Sequence, residues 1–464
     1  MTVELSNKSM ITVDGTEKLT IDDIKSIVNN YIGGEELLRL QQYDDYYESD
    51  NTFIKGKVVD KHERDKLPNN YVPTAYYSTV VDTMAGYMFD DISYLPKQDI
   101  DKEYAQTLND ILNANNADVK DMRTGVKALA YNKGIELVYT TGTIDQTDIK
   151  FTDIDPRQMI LIYNMDIEPS IFCGIWVRMS THEDYKYKVD VIYKDVWQYY
   201  NMNDQKVVER ETEKKLYFSE CPVIVYNSND MSSYSSYKKI IPYINALDYL
   251  ITGNANDIEK LTDAILVLTG IMLKDDELDH MDEIKAIMGL EPEAAAKYLT
   301  KDADPAFRQY ATQLLIYEIH KHSHVVDWYN PDAGLSGEIS AKAMITRLFD
   351  MDISSNRIEK PYKLGSYKRI KLITELMFKK RMPVGEIEII YKRTLPNDFQ
   401  DLAPILNNLT FISEETKMEM IGVDIVKETD RLDAQKTANM ERIALNMPDN
   451  NLNQPDDVNQ AVDE

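Results

Sequence analysis

The sequence predicts an α+β fold, because helical and strand patterns occupy separate stretches of the chain instead of alternating. Residues 21–49, 74–90 and 103–132 carry apolar side chains mostly three or four positions apart, the spacing of helices that bury one face. Residues 135–226 break into short runs rich in β-branched and aromatic residues, with turn residues between them, which is typical of an antiparallel sheet. Helical spacing then returns over 240–380. This segregation of helices and strands indicates an α+β architecture.

The N-terminal part predicts an arm followed by helices. Residues 1–20 show neither period and are expected to form an irregular arm. The first helical pattern is interrupted at Gly33-Gly34, and a Pro-Asn-Asn turn signal follows at 68–70. Beyond that turn, the next helix is indicated by spacings of four and three at Tyr76, Val80, Met84 and Tyr87.

The sheet region begins after another helical stretch, 103–132. The predicted strands are Glu136–Thr140, Ile149–Thr152, Met159–Tyr163, Ile171–Met179, Tyr185–Tyr193, Trp197–Asn201 and Leu216–Phe218. The segment 221–230 closes this region.

Long helices follow the sheet. The first carries a near-3.5-residue stripe, formed by Ile240, Ile244, Leu247, Ile251, Ile258, Leu261 and Ile265. Asp304-Pro305 provides an N-cap and first residue for the second helix, whose stripe is Phe307, Tyr310, Leu314, Tyr317 and His324. Stripes of this kind predict packing along neighbouring helices.

A third helix is predicted from about Ser340 to about Lys380, with a kink at Pro361 or Gly365. After Pro383 an alternating pattern indicates a strand, and Asn397 and Ser413 are N-cap candidates for two short helices. The last segment, 447–464, holds five acids and no base, a composition that predicts disorder.

Composition limits the function. The formal net charge of -27 repels nucleic acid at long range, so contact with DNA must be local or must not require tight binding. The two cysteines, Cys173 and Cys221, form neither a metal-binding spacing nor a disulfide framework, which favours a reducing compartment. The longest apolar run, 264–273, is too short to span a bilayer, so a soluble protein is predicted.

Motifs of catalysis and cofactor binding are absent from the sequence: there is no phosphate-binding glycine loop, no HExxH, no CxxC and no GxSxG. No cofactor is therefore expected. The HKHSH cluster at 320–324 is a metal-ligand candidate, but a polar helix end is the favoured interpretation, since two ligands do not complete a site. The acidic run 275–283 lacks the ligand alternation of a calcium loop, and a solvated or partner-docking face is favoured there.

A basic segment stands out in this acidic chain. Residues 357–381 hold nine Lys or Arg and two Glu, a local net charge of +7. One interpretation is a belt that faces phosphate. The favoured alternative is a helix whose bases pair with acidic neighbours of the same or an adjacent subunit.

The order of these features resembles a known family over residues 20–435. The segments that carry the resemblance are KLPNNYVPTAYYSTVVDTMAGYMFD (66–90), YNKGIELVY (131–139), FTDIDPRQMILIYN (151–164), IIPYINALDYLITGNANDIEKLTDAILVLTG (240–270), LSGEISAKAMITRLFDMD (335–352) and IIYKRTLPNDFQDLAPILNNLTFISEET (389–416). The chain resembles the portal proteins of tailed double-stranded DNA phages, in the SPP1-type siphophage group.

The resemblance implies a portal fold with wing, stem, clip and crown, assembled as a ring of typically twelve subunits. It divides the chain into an arm (1–20), a wing (21–234), a first stem helix (235–266), a clip (267–303), a second stem helix (304–325), a tunnel loop (326–339), a long kinked helix (340–382), a crown with C-terminal helices (383–446) and an acidic tail (447–464). It implies no enzymatic activity and a place in the virion at the capsid vertex, after assembly in the host cytoplasm.

The resemblance also implies partners. These are double-stranded DNA in the channel, the terminase large subunit, the head-completion adaptor, and the major capsid and scaffolding proteins, with no membrane. The tunnel-loop candidates are Trp328, Tyr329, Asn330, Asp332, Gly334 and Gly337, the phosphate-facing candidates are Lys342 and Arg347, and the terminase-docking candidates are Asp275, Asp276 and Glu277.

The Gly- and Pro-rich stretch 326–339 between two long helices is then explained as the loop that projects into the channel. Two other functions stay open at this stage: a minor head protein without a channel, and a carboxylate-based hydrolase. Particle size in solution distinguishes a large closed ring from either alternative.

Overall fold

The structure, a computed structural model, describes 3–5, 11–13, 17–59, 69–97, 102–142, 147–204, 206–209, 213–262, 265–269, 295–299, 305–327, 341–378, 387–393, 428 and 431–437. The chain divides into two compact units, 1–338 with 344–395 and 339–343 with 396–464. In the second unit the described residues are helical. All contacts discussed below lie within the first unit.

The structure describes nine α-helices that lie wholly or mostly in the first unit. They are α1 (Ile21–Ile32), α2 (Glu35–Tyr47), α3 (Thr52–Val59), α4 (Tyr76–Phe89), α5 (Lys102–Ala114), α6 (Ala117–Tyr131), α7 (Ile241–Thr262), α8 (Pro305–Ser323) and α9 (Ala341–Phe378), the last of which begins in the second unit. Short 3-10 turns occur at Pro156–Gln158 and Lys238–Ile240.

Local chemistry explains several helix ends. Thr20 caps α1 by accepting a hydrogen bond from the Asp23 backbone N–H, and the Asp23 carboxylate accepts one from the Thr20 backbone N–H. The break between α5 and α6 falls at Asn116, and α6 ends at Asn132. Both asparagines adopt the left-handed conformation, with φ of 52° and 61°, which asparagine tolerates better than most residues.

The largest sheet has eight strands. Its members are β1 (Val3–Leu5), β2 (Ile11–Val13), β6 (Met159–Asn164), β7 (Ile171–Met179), β8 (Tyr187–Ile192), β9 (Val196–Met202), β10 (Val207–Glu209) and β11 (Lys214–Lys215). The order is β1-β2-β6-β7-β8-β9-β10, and β11 also pairs with β9. All pairings are antiparallel except β2 with β6, which is parallel.

Three smaller sheets complete the described fold. The first, in the order β12-β4-β5, consists of β12 (Val223–Tyr226), β4 (Gly134–Gly142) and β5 (Thr147–Ile154). The second is β13 (Ile265–Thr269) with β14 (Ala295–Leu299), and the third is β15 (Ile387–Lys392) with β3 (Asp91–Pro96). The β13–β14 ribbon brings Thr269 opposite Ala295, so the two ends of the segment between α7 and α8 meet.

Two apolar clusters form the core. One packs α1 against the eight-stranded sheet, with Ile24 and Val28 fully buried beside Ile160 and Ile175. The larger cluster joins α4, α6, the β12-β4-β5 sheet and the C-terminal half of α9. The long helix is therefore held mainly through residues after Pro361, which lies inside it.

Most elements appear where the periodicity predicts them, but several expectations are wrong. Ile265, assigned to the stripe of the first long helix, lies in β13, and His324, assigned to the stripe of the second, lies past the end of α8. The arm predicted to be irregular contributes β1 and β2 to the large sheet, because strands of three residues are too short to show a period. Leu216–Phe218 is not a strand, although Leu216 and Phe218 each donate a backbone hydrogen bond to the chain at 194–195. The two short helices predicted after Asn397 and Ser413, and the tail, lie outside the described residues.

Candidate functional site

Helices α7 and α8 form an antiparallel pair, joined by polar contacts at both ends. Arg308 donates from Nη1 to the Asn254 Oδ1 at 2.7 Å and from Nη2 to the Asp257 Oδ2 at 2.5 Å. At the other end the rings of Tyr243 and His322 stack with centroids 5.2 Å apart. The pair is thus fixed in register by the chain's own side chains.

One face of this pair is apolar and uncovered. Large apolar side chains on α8 are between 43% and 67% exposed, at spacings of three, four and three: Phe307, Tyr310, Leu314 and Tyr317. On α7, Tyr249 and Ile258 are also exposed, whereas Ile244 and Leu247 are buried in the core. A contiguous apolar stripe of this kind marks an interaction surface on a folded protein.

The extended segment 69–75, which begins within the turn signal at 68–70, lies along α7. Asn70 donates its backbone N–H to the Asn256 Oδ1 at 2.7 Å, and Val72 donates to the Thr252 hydroxyl at 3.3 Å. Thr74 donates its backbone N–H and its hydroxyl to the Asp248 Oδ1 at 2.9 and 2.6 Å. Polar side chains four positions apart on α7 thus accept hydrogen bonds from the backbone N–H groups of this extended segment, which itself belongs to no helix or sheet.

Asp248 is the buried end of that row. Burial raises the pKa of its carboxyl, while hydrogen bonds from Thr74 and Asn51 oppose the shift. The sequence analysis did not predict that Asp248 binds the segment 69–75. The signal was present, since Asp248, Thr252 and Asn256 are polar positions spaced by four within an otherwise apolar helix.

The histidine cluster lies at the C-terminal end of α8, and its last member contacts α9. His320 Nδ1 lies 3.0 Å from the Val325 carbonyl oxygen, and His324 Nδ1 lies 2.8 Å from the Asp350 Oδ2 on α9. His322 Nε2 lies 3.1 Å from the Glu318 Oε2. Across the described part of the chain, no group of three or more His, Cys, Asp or Glu side chains is placed to hold a metal ion. The three histidines thus contact groups of the same chain near the end of α8, and the polar helix end stays the favoured interpretation.

The basic segment of α9 is largely paired with acids of the same chain. Lys371 Nζ lies 2.7 Å from the Glu220 Oε1, and Lys368 Nζ lies 3.8 Å from the same carboxylate. Lys363 lies 3.9 Å from Glu359 one turn earlier. Together with Arg369, four of the six described bases have acidic partners, which supports pairing over a phosphate belt. Lys379, Lys380 and Arg381 lie outside the described residues.

Arg369 forms the centre of a fully buried charge cluster. Its Nε and Nη2 donate to the two Glu136 carboxylate oxygens at 2.8 and 2.6 Å, and Nη2 also contacts the Asp121 carboxylate. Its Nη1 donates to the Tyr94 hydroxyl at 3.1 Å, and its guanidinium carbon lies 4.7 Å from the Phe151 ring centroid. Helices α6 and α9 and strands β3, β4 and β5 are thus joined at a single side chain.

The cluster holds one guanidinium against two carboxylates, all inaccessible to solvent. Burial raises the pKa of Glu136, and the Arg369 guanidinium opposes that shift. A bidentate arginine–carboxylate pair with every polar atom satisfied is the arrangement that makes a buried charge tolerable. Its role is to anchor the C-terminal half of α9 to the core.

Comparison with known proteins identifies the family. The family model described as "Phage portal protein, SPP1 Gp6-like" matches residues 30–442. The chain belongs to this family. The match confirms the resemblance that the sequence motifs indicate, and the family is a structural rather than an enzymatic one.

Individual portal relatives are distant in sequence. A portal protein of Clostridium phage phiCD119 is 22% identical over 415 residues, covering 82% of this chain and 88% of that protein. Among solved structures, the neck of a native GTA particle computed with C12 symmetry covers 75% of this chain and 90% of its own, at 10% identity and a TM-score of 0.41. The neck of an empty GTA particle computed with C6 symmetry covers 76% and 92%, at 10% identity and a TM-score of 0.42.

Most of the predicted site residues of this portal protein lie outside the described residues. These are the six tunnel-loop candidates, Trp328 to Gly337, and the clip candidates, Asp275, Asp276 and Glu277. The backbone of Lys342 lies in the first turn of α9. Arg347 is half-buried, and its buried Nη1 has no hydrogen-bond acceptor, so its guanidinium is not freely exposed. None of the described helices is long and apolar enough to cross a bilayer.

Proposed function

We propose that this portal protein assembles through its α7–α8 pair into a closed ring, typically of twelve subunits, around a channel for double-stranded DNA at the capsid vertex. The observation that carries the proposal is the uncovered stripe on α8, Phe307 to Tyr317. One chain leaves it in water, whereas a neighbouring copy would bury it. Burying a large apolar side chain contributes about 1.5–3 kcal/mol, so four of them provide a strong driving force.

The proposal gives the flanking segments distinct tasks. Residues 326–339, between α8 and α9, form the tunnel loop, and the His324–Asp350 contact ties the two helices at its base. Trp328 and Tyr329 face passing DNA in this proposal, with Lys342 and Arg347 nearby on α9. The chain conducts DNA and hydrolyses nothing.

The clip is the segment 267–303, and the β13–β14 ribbon at its base supports a separate docking module. Its acids at 275–277 contact the terminase large subunit, and after packaging the same face receives the head-completion adaptor. The major capsid and scaffolding proteins contact the outside of the ring. Placement at the capsid vertex follows from family membership, and assembly takes place in the host cytoplasm.

Assembly is tested by placing charge on the stripe. The variant Tyr310→Asp with Leu314→Asp should reduce ring formation strongly, because ring closure would then bury two carboxylates against apolar side chains. Mass photometry and electron microscopy of purified protein measure the ring fraction. The matched control is Tyr217→Asp, another highly exposed tyrosine that lies on a different surface.

Two results would overturn the proposal. Wild-type protein that stays monomeric at micromolar concentration would exclude a self-assembling ring. Rings that form equally well in the stripe variant and the control would show that α8 is not the interface.

A further inference from the structure

A second surface, at the start of α7, carries features of a recognition site. It is built from the loop 227–239, here called the serine–tyrosine loop, which has the sequence NSNDMSSYSSYKK. Tyrosine, serine and asparagine are the residues that protein-binding loops favour, since they combine contact area with adaptable hydrogen bonding.

The serine–tyrosine loop is held in one shape by buried side chains. The Asn132 Oδ1 accepts hydrogen bonds from the backbone N–H groups of Ser228 and Asn229 at 3.1 and 2.7 Å. Its Nδ2 donates to the carbonyl oxygens of Asn229 and Ser232 at 3.0 and 2.6 Å. Ser235, also buried, donates to the Leu129 carbonyl at 2.9 Å. A preorganised loop loses less entropy on binding a partner.

The serine–tyrosine loop nevertheless exposes apolar and cationic groups. Met231 is 83% exposed, and the ring of Tyr234 lies close to two cations. The Lys238 Nζ is 3.2 Å from the Tyr234 ring centroid, and the Arg39 guanidinium carbon is 5.2 Å from it. Within the part of the chain that the structure describes, neither cation has a carboxylate oxygen within 4.0 Å.

Arg39 also lines a cavity of about 300 Å³ between α2, β6 and the loop. Its Nε is buried and has no hydrogen-bond acceptor, which is an uncommon state for a guanidinium. Lys133, in the same cavity, is already neutralised by Glu36. The cavity therefore offers an unsatisfied cationic donor beside an apolar rim formed by Met231.

We propose that the serine–tyrosine loop and Arg39 bind an acidic, extended peptide segment of a partner protein, with one carboxylate beside Arg39 and an apolar side chain against Met231. Charge complementarity supports this occupant, because the buried Arg39 Nε lacks an acceptor and, among the described residues, Lys238 has no carboxylate partner. A DNA duplex fits poorly, because a cavity of about 300 Å³ admits a side chain but not a double helix.

The experiment measures binding of a short fluorescent peptide of alternating aspartate and leucine to the full-length protein, by anisotropy. Arg39→Gln and Lys238→Gln should each weaken binding about tenfold, the loss expected for a charge-assisted hydrogen bond. The matched control is Lys57→Gln, which removes another exposed lysine that lies over aromatic rings, 4.1 Å from the Phe53 ring centroid. A peptide with asparagine in place of aspartate should bind as weakly as the Arg39→Gln variant does.

Several outcomes would overturn the inference. They are no binding by wild-type protein, equal weakening in the Lys57→Gln control, and tighter binding of a short DNA duplex that Arg39→Gln abolishes. A shift of the wild-type protein into larger homo-oligomers that Arg39→Gln prevents would assign the surface to a second copy. Ring formation by all three variants would keep the assembly proposal intact in each case.

Discussion

Replacing Arg369 by methionine should destabilise the protein severely while leaving the shape of the site nearly unchanged. The substitution removes both hydrogen bonds to Glu136 and the contact with Asp121, and it leaves two carboxylates buried without a counter-charge. Breaking a buried ion pair by removing one partner destabilises a protein by roughly 3–5 kcal/mol. That loss is a large fraction of the ~5–15 kcal/mol that typically separates folded from unfolded states.

The assay is chemical and thermal unfolding followed by circular dichroism. Since about 1 kcal/mol shifts the Tm of a 150–250-residue domain by ~2–4 °C, a drop of roughly 6–20 °C is expected for the loss of about 3–5 kcal/mol. The matched control is Arg357→Met, an exposed arginine on the same helix, which should change stability by less than about 0.5 kcal/mol.

A compensating variant tests the cause. Adding Glu136→Gln and Asp121→Asn to Arg369→Met removes both orphaned carboxylates, so stability should recover by about half or more. If the single variant loses less than about 1 kcal/mol, or the triple variant recovers nothing, the charge cluster is not what anchors α9.

Three further predictions concern pH and the proposed channel. Burial alone would raise the pKa of Asp155, but hydrogen bonds from Arg157 hold it below its usual range. The ionised Asp155 carboxylate therefore stabilises the folded protein above the unfolded-state pKa of about 3.9. This stabilisation is lost as the pH falls through the lower pKa that Asp155 has in the folded state. The urea midpoint of Asp155→Asn should thus fall below wild type at pH 7 and approach it in acid, whereas an unchanged gap would refute the linkage. Replacing residues 332–337 by a shorter Gly-Ser link should preserve assembly and Tm but reduce the DNA packaged per prohead; normal packaging would remove the tunnel-loop role. Charge reversal of the acids at 275–277 should impair terminase binding while rings still form, and unimpaired packaging would place the docking surface elsewhere.

The long helices and the family could be predicted from the sequence because their signals are local or ordered along the chain. Apolar spacing indicated α7, α8 and α9, and the structure places them within a few residues of the predicted ends. Helix period is set by neighbours three or four positions away, so a single chain displays it directly. The order of the portal motifs identified the family in the same way.

The tertiary structure alone decided which polar residues work together. Arg369 and Glu136 are 233 positions apart, and nothing in the +7 segment distinguishes this arginine from its exposed neighbours. Because Arg369 is buried, its charge must be paired, so it anchors α9 to the core and cannot face phosphate. The same holds for Arg39 and the serine–tyrosine loop, which only the packing of α2 against the end of α6 brings together. Contacts between residues so far apart in the sequence depend on how the whole chain folds, so the local spacing of residue types does not predict them.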